Sequence, residues 1–183
     1  MSEPLFFGAA SWNREAGCGD EQVRHTVSVA DMKLTTSKED LLITHSLGSC
    51  LGVIVYDAVA SVGALLHVML PLSTINPEKA VDNPYMFVDT GVPRLLNECY
   101  KMGAKKGSLV VKVAGGAKIG AAAQSGDFFA IGSRNVTVFR KILWKNGLMC
   151  KAADVGGTRP RTMSLDMNTG EVLIRSDGQV TVL

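Results

Sequence analysis

A chain of 183 residues with 46% hydrophobic content is long enough to bury a core without disulfides or metals. Charged residues make up 20% and nearly cancel, at a formal net charge of +2, which excludes the clustered basic footprint of a nucleic-acid binder. Cys18, Cys50, Cys99 and Cys150 show no C-x-x-C spacing and His25, His45 and His67 share none, so no metal site is expected.

In chain order, residues 1–22 mix Gly8, Gly17 and Gly19 with charges and show no period, which predicts a loose leader ahead of a single domain at 23–183. No basic run precedes the short apolar stretch 4–10, so no signal peptide is expected, and the thiols should be free in a reducing cytoplasm. Val23 to Leu34 alternates loosely and is rich in β-branched residues, which predicts one strand, and 41–44 predicts a short second one. Leu51 to Tyr56 and Val62 to Val68 predict a hairpin around the connection 57–61, with both strands too apolar to leave a face in water. The stretch 51–72 is nonetheless broken by Asp57, Ser61, Gly63 and His67, too polar to insert in a membrane.

Asn83-Pro84 predicts the start of a helix. Met86, Val88, Val92, Leu95, Leu96 and Cys99 recur at its period, with a kink or break at Pro93 and a stop at Gly103. A strand over 108–113 runs into Gly115-Gly116. A second helix begins at Ser133 or Asn135 and carries Val136, Phe139, Ile142 and Leu143 on one face, with Ser133, Arg134 and Asn135 as its caps. A strand over 149–155 stops at Gly156-Gly157, and both glycine pairs read as turns. Residues 162–183 predict a meander with turns at Asn168-Thr169-Gly170 and Asp177-Gly178. Strands segregated from few helices predict an α+β fold with mixed or antiparallel sheets. No G-x-G-x-x-G lies between a strand and a helix, which excludes a dinucleotide-binding fold.

One constellation carries chemistry. Gly48 and Ser49 make a tight turn that sets Cys50 at the mouth of a buried strand, where successive backbone N–H groups can bind an oxyanion. His67 lies in an apolar run, where an imidazole is costly without a partner. Across the hairpin the first strand begins at Cys50 and the second ends at His67, so thiol and base should lie side by side. Thr44, read as the end of the preceding strand, can fix the ring by a hydrogen bond. Cys18, Cys99 and Cys150 lack this context, His45 should face away from Thr44's side, and His25 has no partner in view. Arg134 is a further candidate for holding a substrate, and Phe128 and Phe129, in a glycine-flanked loop, are candidates for a partner surface.

At these residues the sequence resembles the CheD family. Thr44-His-Ser-Leu-Gly-Ser-Cys50 and His67-Val-Met-Leu-Pro71 look like its signature. Lys112-Val-Ala-Gly-Gly-Ala117, Ile131-Gly-Ser-Arg-Asn135 and Asp154-Val-Gly-Gly157 with Arg161 follow in the family's order, and the likeness runs from about Asp31 to Gly170. The resemblance implies a sandwich of mixed, largely antiparallel β-sheets with two or three flanking helices. It implies a cytoplasmic hydrolase that converts glutamines on the cytoplasmic helices of chemoreceptors to glutamates without a cofactor. Cys50 would be the nucleophile, His67 the base and Thr44 the orienting residue. The phosphatase CheC is the implied second partner. Two departures are Lys118, where the family often has methionine, and Pro160, where it commonly has glycine. An idle adaptor that binds CheC or receptors, and a transglutaminase using the same acyl-enzyme, are the competing readings.

Overall fold

The computed structural model describes residues 22–118 and 130–183. The elements run β1 Val23–Thr26, β2 Asp31–Thr35, β3 Asp40–Leu47, β4 Leu51–Asp57, β5 Val62–Val68, α1 Pro77–Asp82, α2 Val88–Lys101, β6 Val110–Gly115, α3 Ile131–Lys145, β7 Cys150–Val155, β8 Arg161–Asp166, β9 Val172–Ser176 and β10 Gln179–Val182. Among the described residues the strands form two five-stranded sheets, ordered β1-β3-β8-β9-β10 and β2-β5-β4-β6-β7. Each has a single parallel pair at one edge, β1 with β3 and β6 with β7, and is otherwise antiparallel. This is the α+β sandwich of mixed, largely antiparallel sheets that the sequence predicts.

The second sheet is central, and the sequence of its hairpin explains why. Val53 and Val55 on β4 and Ala64, Leu66 and Val68 on β5 pack with Val92, Leu95, Leu96 and Cys99 of α2 and Phe139 and Leu143 of α3. The alternate residues Ile54 and Leu65 face the outer sheet and meet Leu42, Met163, Leu165 and Ile174. Strands buried on both faces must be apolar at successive positions, as these are. The sheets come close because glycine replaces a side chain between them: a Cβ on Gly63 would lie 2.0 Å from the Met167 sulfur.

Three local expectations change. The stretch 23–34 is two strands in different sheets, not one. Ala30 turns with a φ of 57° and its N–H donates to His67 O, which hands the chain from the outer sheet to the central one. Asn83-Pro84 opens a 3-10 turn over Pro84–Met86, with the Asn83 side chain accepting from Tyr85 N. Phe87 is then held extended beside Leu70, so α2 starts afresh at Val88. The interruption falls there and not at Pro93, through which α2 continues to Lys101. α1, capped by Asn76, was not anticipated.

Candidate active site

β3 belongs to the outer sheet and β4 to the central one, so the turn joining them crosses between layers. β3 does not end at Thr44. It runs to Leu47, with a register shift between these two residues and a φ of 58° at Ser46. That irregularity re-aims the strand's end. The Gly48–Cys50 turn follows and is braced from β6: Gly116 N donates to Cys50 O at 2.8 Å, and Ala117 N to Gly48 O at 2.8 Å. Gly115, with a φ of 111°, admits this approach, since a Cβ there would lie 2.1 Å from Cys50 O. The first turn of α3 is pressed on the same place: a Cβ on Gly132 would lie 2.5 Å from Gly116 O.

The hairpin register pairs Gly52 with His67 and Leu51 with Val68. Alternation puts Gly52 and Cys50 on the His67 face, the one toward the outer sheet, and Cys50 packs against the cluster between the sheets. Cys50 is thus the diagonal neighbour of His67. The imidazole meets Thr44 across the gap, with Thr44 Oγ1 2.7 Å from His67 Nδ1. The same hydroxyl donates to Val27 O at 2.8 Å. A hydroxyl has one proton, and a carbonyl only accepts. The Thr44 proton is therefore committed to Val27, and His67 Nδ1 must be the donor to Thr44. The proton-free nitrogen is then Nε2, a buried atom without a hydrogen-bond partner.

Burial sets the charges. His67 is 1% exposed, and desolvation lowers its pKa to about 4, so the ring is a neutral base near neutrality. Desolvation raises the pKa of the half-buried Cys50 thiol, offset in part by its own backbone N–H. Cys99 is buried on α2 and its thiol is pushed up to about 12, chiefly by burial, which leaves it inert. Cys150 is half-buried, and its sulfur lies 3.1 Å from Ala152 O.

Other predicted residues fall elsewhere. Gly48 N–H is used inside the turn, donating to Ser46 O at 2.9 Å, so Gly48 cannot hold an oxyanion through it. Arg134 is exposed on the first turn of α3 and makes no ion pair among the described residues. Ser133, Arg134 and Asn135 do not cap α3, which already begins at Ile131 without a side-chain cap. His45 is exposed, as its strand position implies, whereas His25 does have a partner: its Nε2 lies 3.0 Å from the Asp40 carboxylate. Phe128, Phe129 and Cys18 lie outside the described residues, as does the leader over 1–21. Lys118 is exposed, and Pro160 O accepts from Ser176 Oγ.

Sequence reasoning missed Asn135 and the Val27 carbonyl. Asn135 is fully buried, and its Nδ2 donates to Ser49 O at 2.9 Å and to Met69 O at 3.1 Å. The signal for it was present: Asn135 precedes Phe139 by four, a polar residue on the buried stripe of a helix. No signal marks a main-chain carbonyl such as that of Val27. Among the described residues no three His, Cys, Asp or Glu side chains gather in a metal-binding group. No described helix is long and apolar enough to cross a membrane.

The motifs that are scattered in sequence therefore meet at one place. The family model described as CheD chemotactic sensory transduction matches residues 69–176. The "Probable chemoreceptor glutamine deamidase CheD 1" of Syntrophus aciditrophicus is 43% identical over 152 residues, covering 83% of this chain and 93% of its own. The "Probable chemoreceptor glutamine deamidase CheD" of Solibacter usitatus is 41% identical over 153 residues, 84% of this chain and 89% of its own. Among solved structures, a Bacillus licheniformis hypothetical protein, YfiH, overlaps with a TM-score of 0.41 at 14% identity, covering 76% of this chain and 60% of that one, a likeness too slight to bear on function. On relatives this similar over this much of its length, the chain belongs to the CheD family.

Proposed function

We propose that this protein deamidates selected glutamines of chemoreceptors, with Cys50 as nucleophile, His67 as base and Thr44 as the residue that orients the ring. The observation that carries the mechanism is the hydrogen-bond chain from His67 Nδ1 to Thr44 Oγ1 to Val27 O, which leaves Nε2 free to take a proton. The substrate comes from the relatives, which are named chemoreceptor glutamine deamidases. Residues 23–183 act as one domain, in the cytoplasm, and the phosphatase CheC is a binding partner.

The resting pair is neutral, because burial disfavours both thiolate and imidazolium. His67 Nε2 takes the Cys50 proton as the sulfur attacks the glutamine side-chain carbonyl carbon. The backbone N–H groups of Ser49 and Cys50 receive the developing oxyanion. The intermediate collapses, the C–N bond breaks, and His67 returns the proton to departing ammonia. Water, giving its proton to Nε2, then cleaves the thioester and leaves glutamate and the free thiol. The cycle consumes one water and requires no cofactor.

The test is mass spectrometry of a receptor cytoplasmic fragment incubated with the protein or with Cys50→Ala. Conversion of an amide to an acid adds about one dalton, which should appear at particular glutamines with the wild type only. An equal gain with the folded variant would remove Cys50 from the mechanism, and no gain with either would remove the activity.

A further inference from the structure

We propose that Asn135 is a positioning residue that holds the Cys50 turn against the end of the His67 strand. The ladder between β4 and β5 ends at the pair Leu51 and Val68. Past it, the backbone bonds of the two segments go to different neighbours. Cys50 O and Gly48 O accept from Gly116 N and Ala117 N on the β6 side, while Met69 N and Leu70 N both donate to Met86 O on the opposite side. Nucleophile and base thus sit where the central sheet begins to part.

Asn135 spans the parting. Its Nδ2 reaches Ser49 O, one residue before Cys50, and Met69 O, two residues after His67. It supplies from a side chain the rung that the backbone no longer makes. The amide acts as a donor only, since Oδ1 is buried without a partner. Turned over, it would set an oxygen against two carbonyl oxygens, so the orientation is fixed. α3 is itself seated by the contact of Gly132 with Gly116, the residue that holds Cys50 O. One helix turn therefore sets the nucleophile's backbone from two directions.

The role differs from mere packing in what it controls: the approach of the Cys50 thiol to His67 Nε2. The proposal rests on that pair being the catalytic one. It is read without substrate by the rate of iodoacetamide alkylation of Cys50 against pH, followed on the Cys50 peptide. The wild-type thiol, whose proton His67 Nε2 takes as the sulfur attacks, should react faster near about pH 7 than the same thiol in His67→Ala. Asn135→Ala should lose this advantage and reproduce the profile of His67→Ala. With receptor fragment, kcat should fall roughly 100-fold with KM little changed, the scale expected of an ångström of misplacement. Thr137→Ala, on the exposed side of α3, should behave as wild type.

Asn135→Asp keeps the shape and loses the donors, and serves where the alanine variant does not fold. Its buried carboxyl, beside two carbonyls, regains one O–H donor when protonated, so its activity relative to wild type should rise as pH falls. A folded variant with wild-type kcat and alkylation profile, altered only in melting temperature, would overturn the proposal. So would a wild-type profile already equal to that of His67→Ala. A wild type that fails to deamidate receptors but shows assisted alkylation would overturn the substrate reading and leave the positioning role standing.

Discussion

The Thr44 hydroxyl decides which nitrogen of His67 is left without a proton, and this makes its contribution separable from packing. Thr44→Val keeps the volume and removes the acceptor for Nδ1–H, leaving a buried N–H and the Val27 carbonyl unpaired, at about 1–3 kcal/mol each. Nothing then selects the tautomer with a free Nε2. Steady-state kinetics should show kcat reduced by at least about 10–100-fold in Thr44→Val, the scale on which a metal-bound histidine suffers from losing its hydrogen-bonded support. Thr44→Ser, which keeps the hydroxyl, should retain most of it. Equal rates for the valine and serine variants would mean that Thr44 only fills space. The placement of Thr44 beside His67 and of Cys50 diagonal to it was legible in the sequence, the latter from the ends of one apolar hairpin. Asn135 was read only as a cap, because asparagine near a helix start suits one; its place on the buried stripe with Phe139 was the signal, and the approach of Ser49 and Met69 gives the use.

At the scale of elements, the hairpin β4–β5 and the closing meander of β8, β9 and β10 could be read locally, since their registers follow from tight turns and alternation. The two parallel edge pairs could not. β1 finds β3 and β6 finds β7 across long intervals, and nothing in a local window specifies such a partner. The split of 23–34 between sheets was hidden for the same reason. The Gly115-Gly116 pair read as a turn, but Gly115 is the last residue of β6 and Gly116 follows it, both with positive φ, and at Gly115 the missing side chain admits Cys50 O. This can be tested by contrast. Gly178 also has positive φ, at 77°, yet nothing lies within 4 Å of a Cβ placed there. Gly178→Ala should cost about 1–2 kcal/mol, the strain of the left-handed region alone. Gly115→Ala meets a carbonyl oxygen at 2.1 Å as well, so urea denaturation should show a clearly larger loss, or kcat should collapse as the Cys50 turn shifts. Equal, small losses and full activity in both would mean that β6 can retreat without disturbing the nucleophile.

Across the whole molecule, the site is a joint between layers. Thr44 and Val27 come from the outer sheet and its approach, His67 from the central one, and the Thr44–His67 hydrogen bond crosses the apolar gap. Beyond them Arg161 of β8 grips Asp154 of β7 through two bonds, at 2.9 and 3.0 Å, again joining the two sheets. A joint of this kind couples the His67 ring to global stability through protonation. The pKa of His67 is about 4 in the folded protein against an ordinary 6.5. Between these values the unfolded chain binds a proton that the fold refuses, so stability is present above 6.5 and is lost as pH falls toward 4. At about 1.4 kcal/mol per unit, the loss should reach roughly 3 kcal/mol. The buried carboxylates do not mimic it. The pKa values of Asp40 and Asp57 are held below their ordinary 3.8, by hydrogen bonds that outweigh desolvation, so their stabilisation is present above 3.8 and is lost only at more acid pH. Urea unfolding of wild type and His67→Gln across this range isolates the effect, because the glutamine variant lacks the titrating group and should show a flatter dependence. Parallel curves would mean that His67 takes up its proton inside the fold without resistance, and the neutral-base mechanism would then lose its physical ground.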